Sequence, residues 1–196
     1  MSLERPAKNT PQSAAQMREA LDRLAPDLDN QQKAFILAHT ALETRNFQSL
    51  KQFNVGNIST RDDKGLPFWR PNWYAEPGPD ASERTKRLHQ LMLEHKAPSA
   101  FRAYDTLDQG FGDYLRQMRG RFSPMLRARS ASEFVKEWRN TGYTPDLDVD
   151  ATLPNFTSLA RKFGAVDTPL LDAGGSAVLL GFFFAGGLLW AMKKRG

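Results

Sequence analysis

No stretch constrains the fold of this chain more than AFILAHTALETRNF at residues 34–47. Ala34, Leu37, Ala38, Ala41 and Leu42 recur at helical spacing, which describes one helix sunk into a core. The run ends in a carboxylate, Glu43, with polar residues directly behind it. An acid at a helix C-terminus faces the negative pole of the helix dipole, so local helix stability gives no reason for it there. Burial beside the core would raise its pKa, as a general acid working at neutral pH requires. The competing reading is a solvated glutamate that merely ends a helix, since most glutamates lie on surfaces.

A chain of 196 residues has room for one domain with a real core and an appendage. It has no cysteine, which excludes disulfides and thiolate metal sites. Of the formal charge of +5, three charges stand together at Lys193, Lys194 and Arg195. The rest of the chain is too nearly balanced to form the basic stripe of a nucleic-acid binder, so no nucleic-acid partner is expected. A mildly basic body suits an anionic polymer such as a cell wall.

Residues 173–192 read AGGSAVLLGFFFAGGLLWAM, twenty residues without a charge. At about 1.5 Å rise each they match the roughly 30 Å hydrocarbon core of a bilayer. Trp190 near one end and the basic tail at 193–196 suit a membrane boundary, so one C-terminal transmembrane helix in a lipid bilayer is expected. The alternative is a buried globular helix. Ala173, Ala177, Gly181 and Ala185 make a small-residue stripe of the kind that lets membrane helices pack closely, in self-association or on another membrane protein. The first residues carry neither a basic n-region nor an apolar h-region, so no ordinary secretory signal is expected.

In chain order, residues 1–12 read as a polar, mobile leader, 13–163 as the folded domain and 164–172 as a linker. Capping-box patterns at SAAQ (13–16), TLDQ (106–109) and SASE (130–133) mark helix starts, with Asp29 or Asn30 opening the helix that carries Glu43. DASE at 80–83 opens another, and Phe156, Leu159 and Phe163 mark the last. Asn54, Gly56 and Asn57 form a tight turn. Residues 61–80 mix charges, Gly and Pro with Phe68, Trp69, Trp73 and Tyr74, an irregular lobe or short hairpin. The expected class is mainly α, with a small irregular or β lobe.

No Ser-His-Asp order, phosphate-cradling Gly loop or HExxH is present, and no cofactor is implied. His39, His89 and His95 are scattered; His39 stands four before Glu43, a spacing that reads as structural, so no metal is expected. What remains is an acid, a loop and aromatic side chains. Sugar rings pack CH faces on Trp and Tyr while a carboxylic acid protonates the glycosidic oxygen. Trp69, Trp73 and Tyr74 are candidate cleft walls, or equally the lobe's own small core.

Four segments in order resemble the lysozyme-like glucosaminidases of glycoside hydrolase family 73, the flagellar-rod and autolysin type. They are ILAHTALET (36–44), FNVGNIS (53–59), FRAYDTLDQGFGDY (101–114) and NTGYTPDLDVDATLPNF (140–156). The resemblance implies a lysozyme-like α+β fold and cleavage of β-1,4 bonds in the glycan strands of peptidoglycan. It makes Glu43 the general acid, places Tyr143 across the cleft, and puts Asn54 and Tyr104 beside the substrate. Asp62, Asp63 and Glu76 are candidates for a second carboxylate, with Glu76 preferred because it follows the aromatic run of the lobe. Thr44, Arg45, Asn46 and Phe47 stand where the family has Ser-Gly-Trp-Gly, and Asn57 intervenes between the loop glycine and isoleucine. Two other outcomes go with the pattern: a lytic transglycosylase that leaves anhydro-muramyl ends, and a non-catalytic glycan-binding or structural membrane protein. A tethered wall enzyme without an export signal fits a phage virion membrane, a phage lysis protein or a bacterial envelope, with the domain facing the wall. The glycines of the span equally fit the general tolerance of membrane helices for Gly; if the 173/177/181/185 stripe self-associates, crosslinking along it joins copies of the chain, and a series with no self-contact removes the dimer.

Overall fold

Capping side chains set the helix starts. In the computed structural model, which describes residues 3–60, 66–94 and 98–165, Ser13 opens α1 (Ala14–Leu24) and Asp29 opens α2 (Asn30–Glu43), each through a reciprocal bond pattern with a glutamine at the third helical position. Thr106 caps α4 (Leu107–Arg119) and Ser130 caps α6 (Ala131–Asn140). Ser82, within the DASE segment, caps α3 (Glu83–Leu93). α5 (Ser123–Arg127), a short helix with Pro near its start, was not expected from the sequence, and α7 (Val149–Lys162) begins at the Asp148 cap.

α2 packs on α7, and α7 on α6. Phe35 of α2 meets Phe134 of α6 at 5.6 Å and Phe156 of α7 at 5.7 Å, and Phe134 stacks on Phe156 at 4.9 Å. Each such ring, removed from water, contributes about 1.5–3 kcal/mol. α1 lies on α4, completing a helical body around α2.

A small lobe stands beside this body. Its antiparallel sheet has the order β1-β3-β2, from β1 (Ser59–Thr60), β2 (Phe68–Trp69) and β3 (Ala100–Arg102). Ser59 pairs with Phe101, and Trp69 pairs with Phe101 from the other side. Three residues are too few for the alternation of a strand to show in β3, and its partners are distant in sequence. α3 covers the sheet, with Leu88 packed among Trp69, Trp73, Phe101 and Ala103.

Residues 3–12 differ from the mobile leader expected. Arg5 donates its amide to the Phe68 carbonyl at 2.7 Å, Phe68 donates back to Leu3 at 3.0 Å, and Thr10 donates to Leu50 at 2.7 Å. The strap joins the small lobe to the 47–53 loop through main-chain bonds, which polar composition does not reveal. Residues 166–196, including the expected span 173–192, its small-residue stripe and the basic tail, lie outside the described residues. Among the described residues no helix is long and apolar enough to cross a membrane.

Gly110 shows how closely α4 approaches the 52–58 loop, since a Cβ there would lie 1.8 Å from the Phe53 carbonyl oxygen. Gly110→Ala gains about 1 kcal/mol of helix propensity, but the overlap with backbone outweighs it. The variant is expected to lose on the order of 1–3 kcal/mol in urea unfolding, and an unchanged midpoint would contradict this packing.

Candidate active site

Glu43 closes α2 and is 8% exposed. Behind it the chain turns through Arg45, Asn46 and Phe47 with φ of 52°, 53° and 68°. Three successive non-glycine residues in the left-handed region cost about 1–2 kcal/mol each. Glycine would adopt this conformation nearly free, but none of the three is glycine. Here buried side chains hold the turn. The Thr44 hydroxyl donates to the Thr40 carbonyl at 2.6 Å and accepts the Phe47 amide at 3.2 Å, while the Phe47 ring packs on Phe163.

The 52–58 loop comes back to the acid. Asn57 donates from Nδ2 to Glu43 Oε2 at 2.9 Å and to the Glu43 carbonyl at 2.8 Å. Asn54 is wholly buried and serves the loop itself: Nδ2 donates to the carbonyls of Ile58 and Arg102, and Oδ1 accepts the Ile58 amide at 2.7 Å. Tyr143 donates its hydroxyl to the Gly56 carbonyl. Gly56 is tightly enclosed, since a Cβ there would come within 2.5 Å of Tyr114 and 2.8 Å of the Tyr143 oxygen.

One turn before the acid on α2, His39 is wholly buried, with Nε2 3.8 Å from Glu43 Oε1 and Nδ1 2.7 Å from the Tyr114 hydroxyl. Burial pushes the His39 imidazole down to about 3 from 6.5, so the ring is neutral. Burial pushes the Glu43 carboxyl up to about 7 from 4.5, against the opposing bond from Asn57. Burial and the Glu43 charge hold Tyr114 and Tyr143 well above the ordinary tyrosine range, so both stay neutral.

Among the other sequence candidates, Tyr104 stands close enough to Tyr143 to help raise its pKa. Tyr104 donates its hydroxyl to Asp113, which also pairs with Arg102 and Arg116, and burial raises the phenol to about 12. Trp69 and Trp73 lie in the small lobe's own core: Trp69 stacks on Phe101 at 4.8 Å, and Trp73 donates to the Pro98 carbonyl at 3.2 Å. Tyr74 is exposed, with the Arg70 guanidinium 3.7 Å over its ring. Glu76 is exposed and makes no hydrogen bond or ion pair with Glu43. Asp62 and Asp63 lie outside the described residues. Among the described residues, no three His, Asp or Glu are grouped to hold a metal ion.

The structure therefore gathers Glu43 and Tyr143 with Asn57, His39, Tyr114 and Gly56. Asn57 stood out in sequence as part of a tight turn and as an insertion into a loop pattern, neither of which pointed to a bond with Glu43. His39 carried the right spacing to Glu43, whereas nothing distinguished Tyr114 from the apolar residues of its helix.

No family model matches the chain, and no curated protein matches it. Among solved structures, the glycoside hydrolase domain of FlgJ from Salmonella typhimurium superposes with a TM-score of 0.49 at 19% sequence identity, over 79% of this chain and 90% of that one.

A carboxyl raised by burial costs stability when it ionises. The cost is absent below the unfolded pKa of 4.5, grows with pH, and is complete above the folded value of about 7. Glu43→Gln keeps the shape and cannot ionise. It is expected to match the parent at pH 4 and to exceed it at pH 8.5 by on the order of 2–3 kcal/mol in chemical unfolding. Equal stability at both pH values would show that Glu43 is solvated.

Proposed function

We propose that the chain is a peptidoglycan hydrolase that cleaves β-1,4 glycosidic bonds of the glycan strand, with Glu43 as general acid. The observation that carries this is the buried Glu43 carboxyl, poised at about 7, at the end of α2. A general acid works best when its pKa lies near the working pH, because it must be protonated on arrival and acidic enough to give the proton away. The order of the four sequence segments supplies the substrate class.

In the reaction, Glu43 gives its proton to the glycosidic oxygen as the bond from the anomeric carbon breaks, and the bonding electrons leave with that oxygen. Tyr143, neutral and bonded to Gly56, lines the site beside the acid and positions the sugar. Among the described residues no second carboxylate bonds to Glu43 or contributes to its shift. One route needs this acid alone: the substrate's own acetamide attacks the anomeric carbon. Water then gives a reducing end. Closure by the sugar's own hydroxyl gives an anhydro end instead, the transglycosylase variant of the same chemistry. In this reading residues 173–192 tether the enzyme to a bilayer beside its substrate.

Glu43→Gln is expected to lower the rate of peptidoglycan digestion by at least about 100-fold while the chain stays folded. Activity of the parent should fall as pH rises through about 7, where Glu43 loses its proton. Mass spectrometry of the products separates the two routes, because the anhydro end lacks one water. Undiminished digestion by the Gln variant would overturn the assignment.

A further inference from the structure

The imidazole of His39 is a wholly buried polar side chain of the site that the mechanism above leaves without a task. Its Nε2 has no hydrogen-bond partner among the described residues. Buried polar atoms are nearly always satisfied, so an orphan beside a titrating carboxyl calls for an explanation. Rings close the other directions: Trp138 stands edge-on at 4.2 Å, Tyr143 edge-on at 4.9 Å, and Tyr114 and Phe134 lie within 6 Å. The polar atom that Nε2 faces is Glu43 Oε1, at 3.8 Å. That gap is too long for a hydrogen bond and too short to hold a water, and a small side-chain rotation closes it.

We infer that His39 is a positioning residue for Glu43: the Tyr114 hydroxyl fixes the imidazole proton on Nε2, and that N–H receives the carboxylate formed when Glu43 gives up its proton. Counting donors selects the tautomer. When Tyr114 donates to Nδ1 across 2.7 Å, the hydroxyl proton and the Nδ1 lone pair are both used, and Nε2–H is left aimed at Glu43. In the reverse tautomer the Tyr114 hydroxyl proton would lack a partner in an apolar surround, and Nε2 would turn a lone pair, not a donor, toward the Glu43 carboxylate. While Glu43 is protonated, no charge draws the N–H across the gap. Once Glu43 ionises, the low local dielectric makes the attraction strong. The carboxylate is then held by one donor on each oxygen, Asn57 on Oε2 and His39 on Oε1.

No proton leaves His39 or Tyr114 in this scheme. The Glu43 proton goes to the leaving oxygen, and both partners stay neutral, as burial of the imidazole requires. Among the described residues, the titratable groups facing the pair are Tyr114 from α4 and Tyr143 from the segment after α6, and both remain protonated. The catalytic meaning of this arrangement rests on the proposed role of Glu43, but the tautomer and the Glu43 titration do not.

The test uses the full chain in lipid nanodiscs. Long-range proton–nitrogen spectra of the unsubstituted protein are expected to show His39 protonated on Nε2 and bare on Nδ1 at neutral pH. The Nδ1–H tautomer would overturn the inference whether or not any variant folds. The Glu43 side-chain carbon signal, identified by its loss in Glu43→Gln, is then followed against pH. His39→Phe removes the donor to the anion and should raise the Glu43 pKa by about one unit. His39→Gln, whose amide nitrogen falls near the place of Nε2, should bring it back. On peptidoglycan, His39→Phe should lower kcat about tenfold with KM unchanged and move the alkaline limb of the pH profile upward. A purely structural histidine would leave the Glu43 titration and that limb in place, and an unshifted Glu43 in His39→Phe counts against the inference. If the parent digests no peptidoglycan yet Glu43 shifts as described, the positioning role stands and the proposed reaction falls.

Discussion

The burial of α2 by the phenylalanine layer of α6 and α7 is the constraint on which the rest of the molecule depends. Phe35, Phe134 and Phe156 draw the helix into the core along most of its length. A helix held in this way carries whatever polar groups lie along it into the same low-dielectric surround. His39 and Glu43 are those groups, and their unusual proton affinities are consequences of core packing rather than of any special ligand.

The two shifts oppose each other in their effect on stability. Unfolded, with ordinary values of 6.5 and 4.5, the pair between those pH values is a charged imidazolium and a carboxylate. Folded, with values of about 3 and about 7, it is a neutral imidazole and a carboxylic acid. Each state binds one proton, so in this window the pair contributes no slope of stability with pH. Just above it the unfolded imidazolium sheds its proton before the folded acid does, and below it the unfolded chain gains a second proton, so stability falls on both sides. The pair thus sets a stability plateau on the acid side of neutrality.

The strain in the backbone sits beside the same acid. Arg45, Asn46 and Phe47 on one side, and Gln52, Phe53 and Asn57 on the other, all take positive φ. Such conformations persist when surrounding contacts over-determine them. Here those contacts are the Thr44 hydroxyl bonds, the Asn54 bonds to Ile58 and Arg102, and the strap of residues 3–12 laid along the 47–53 loop. The turn after Glu43 and the loop carrying Asn57 are therefore held as one unit, so the donor to Oε2 is fixed in place before any substrate arrives.

Much of the helical architecture was legible in the chain, because its signals are local. A capping serine or aspartate and the residue three places on interact within a single turn, and the apolar spacing of Met17, Ala20 and Leu21, or of Phe134, Val135 and Trp138, states which face goes inward. The end of a buried helix at Glu43 could be read for the same reason. The three-residue strand at Ala100–Arg102 and the tethering of residues 3–12 were not legible, since both consist of main-chain bonds to distant partners that no side-chain pattern encodes. Sequence alone left Trp69 and Trp73 as cleft walls or lobe core; contact with Phe101 and Leu88 makes them core. It likewise showed that Glu43 is an acid in an odd place, but not that Asn57 bonds one of its oxygens while a neutral histidine faces the other. Local order is written in neighbours along the chain. Proton affinity is set by dielectric and by partners from other segments, which exist only once the chain has folded.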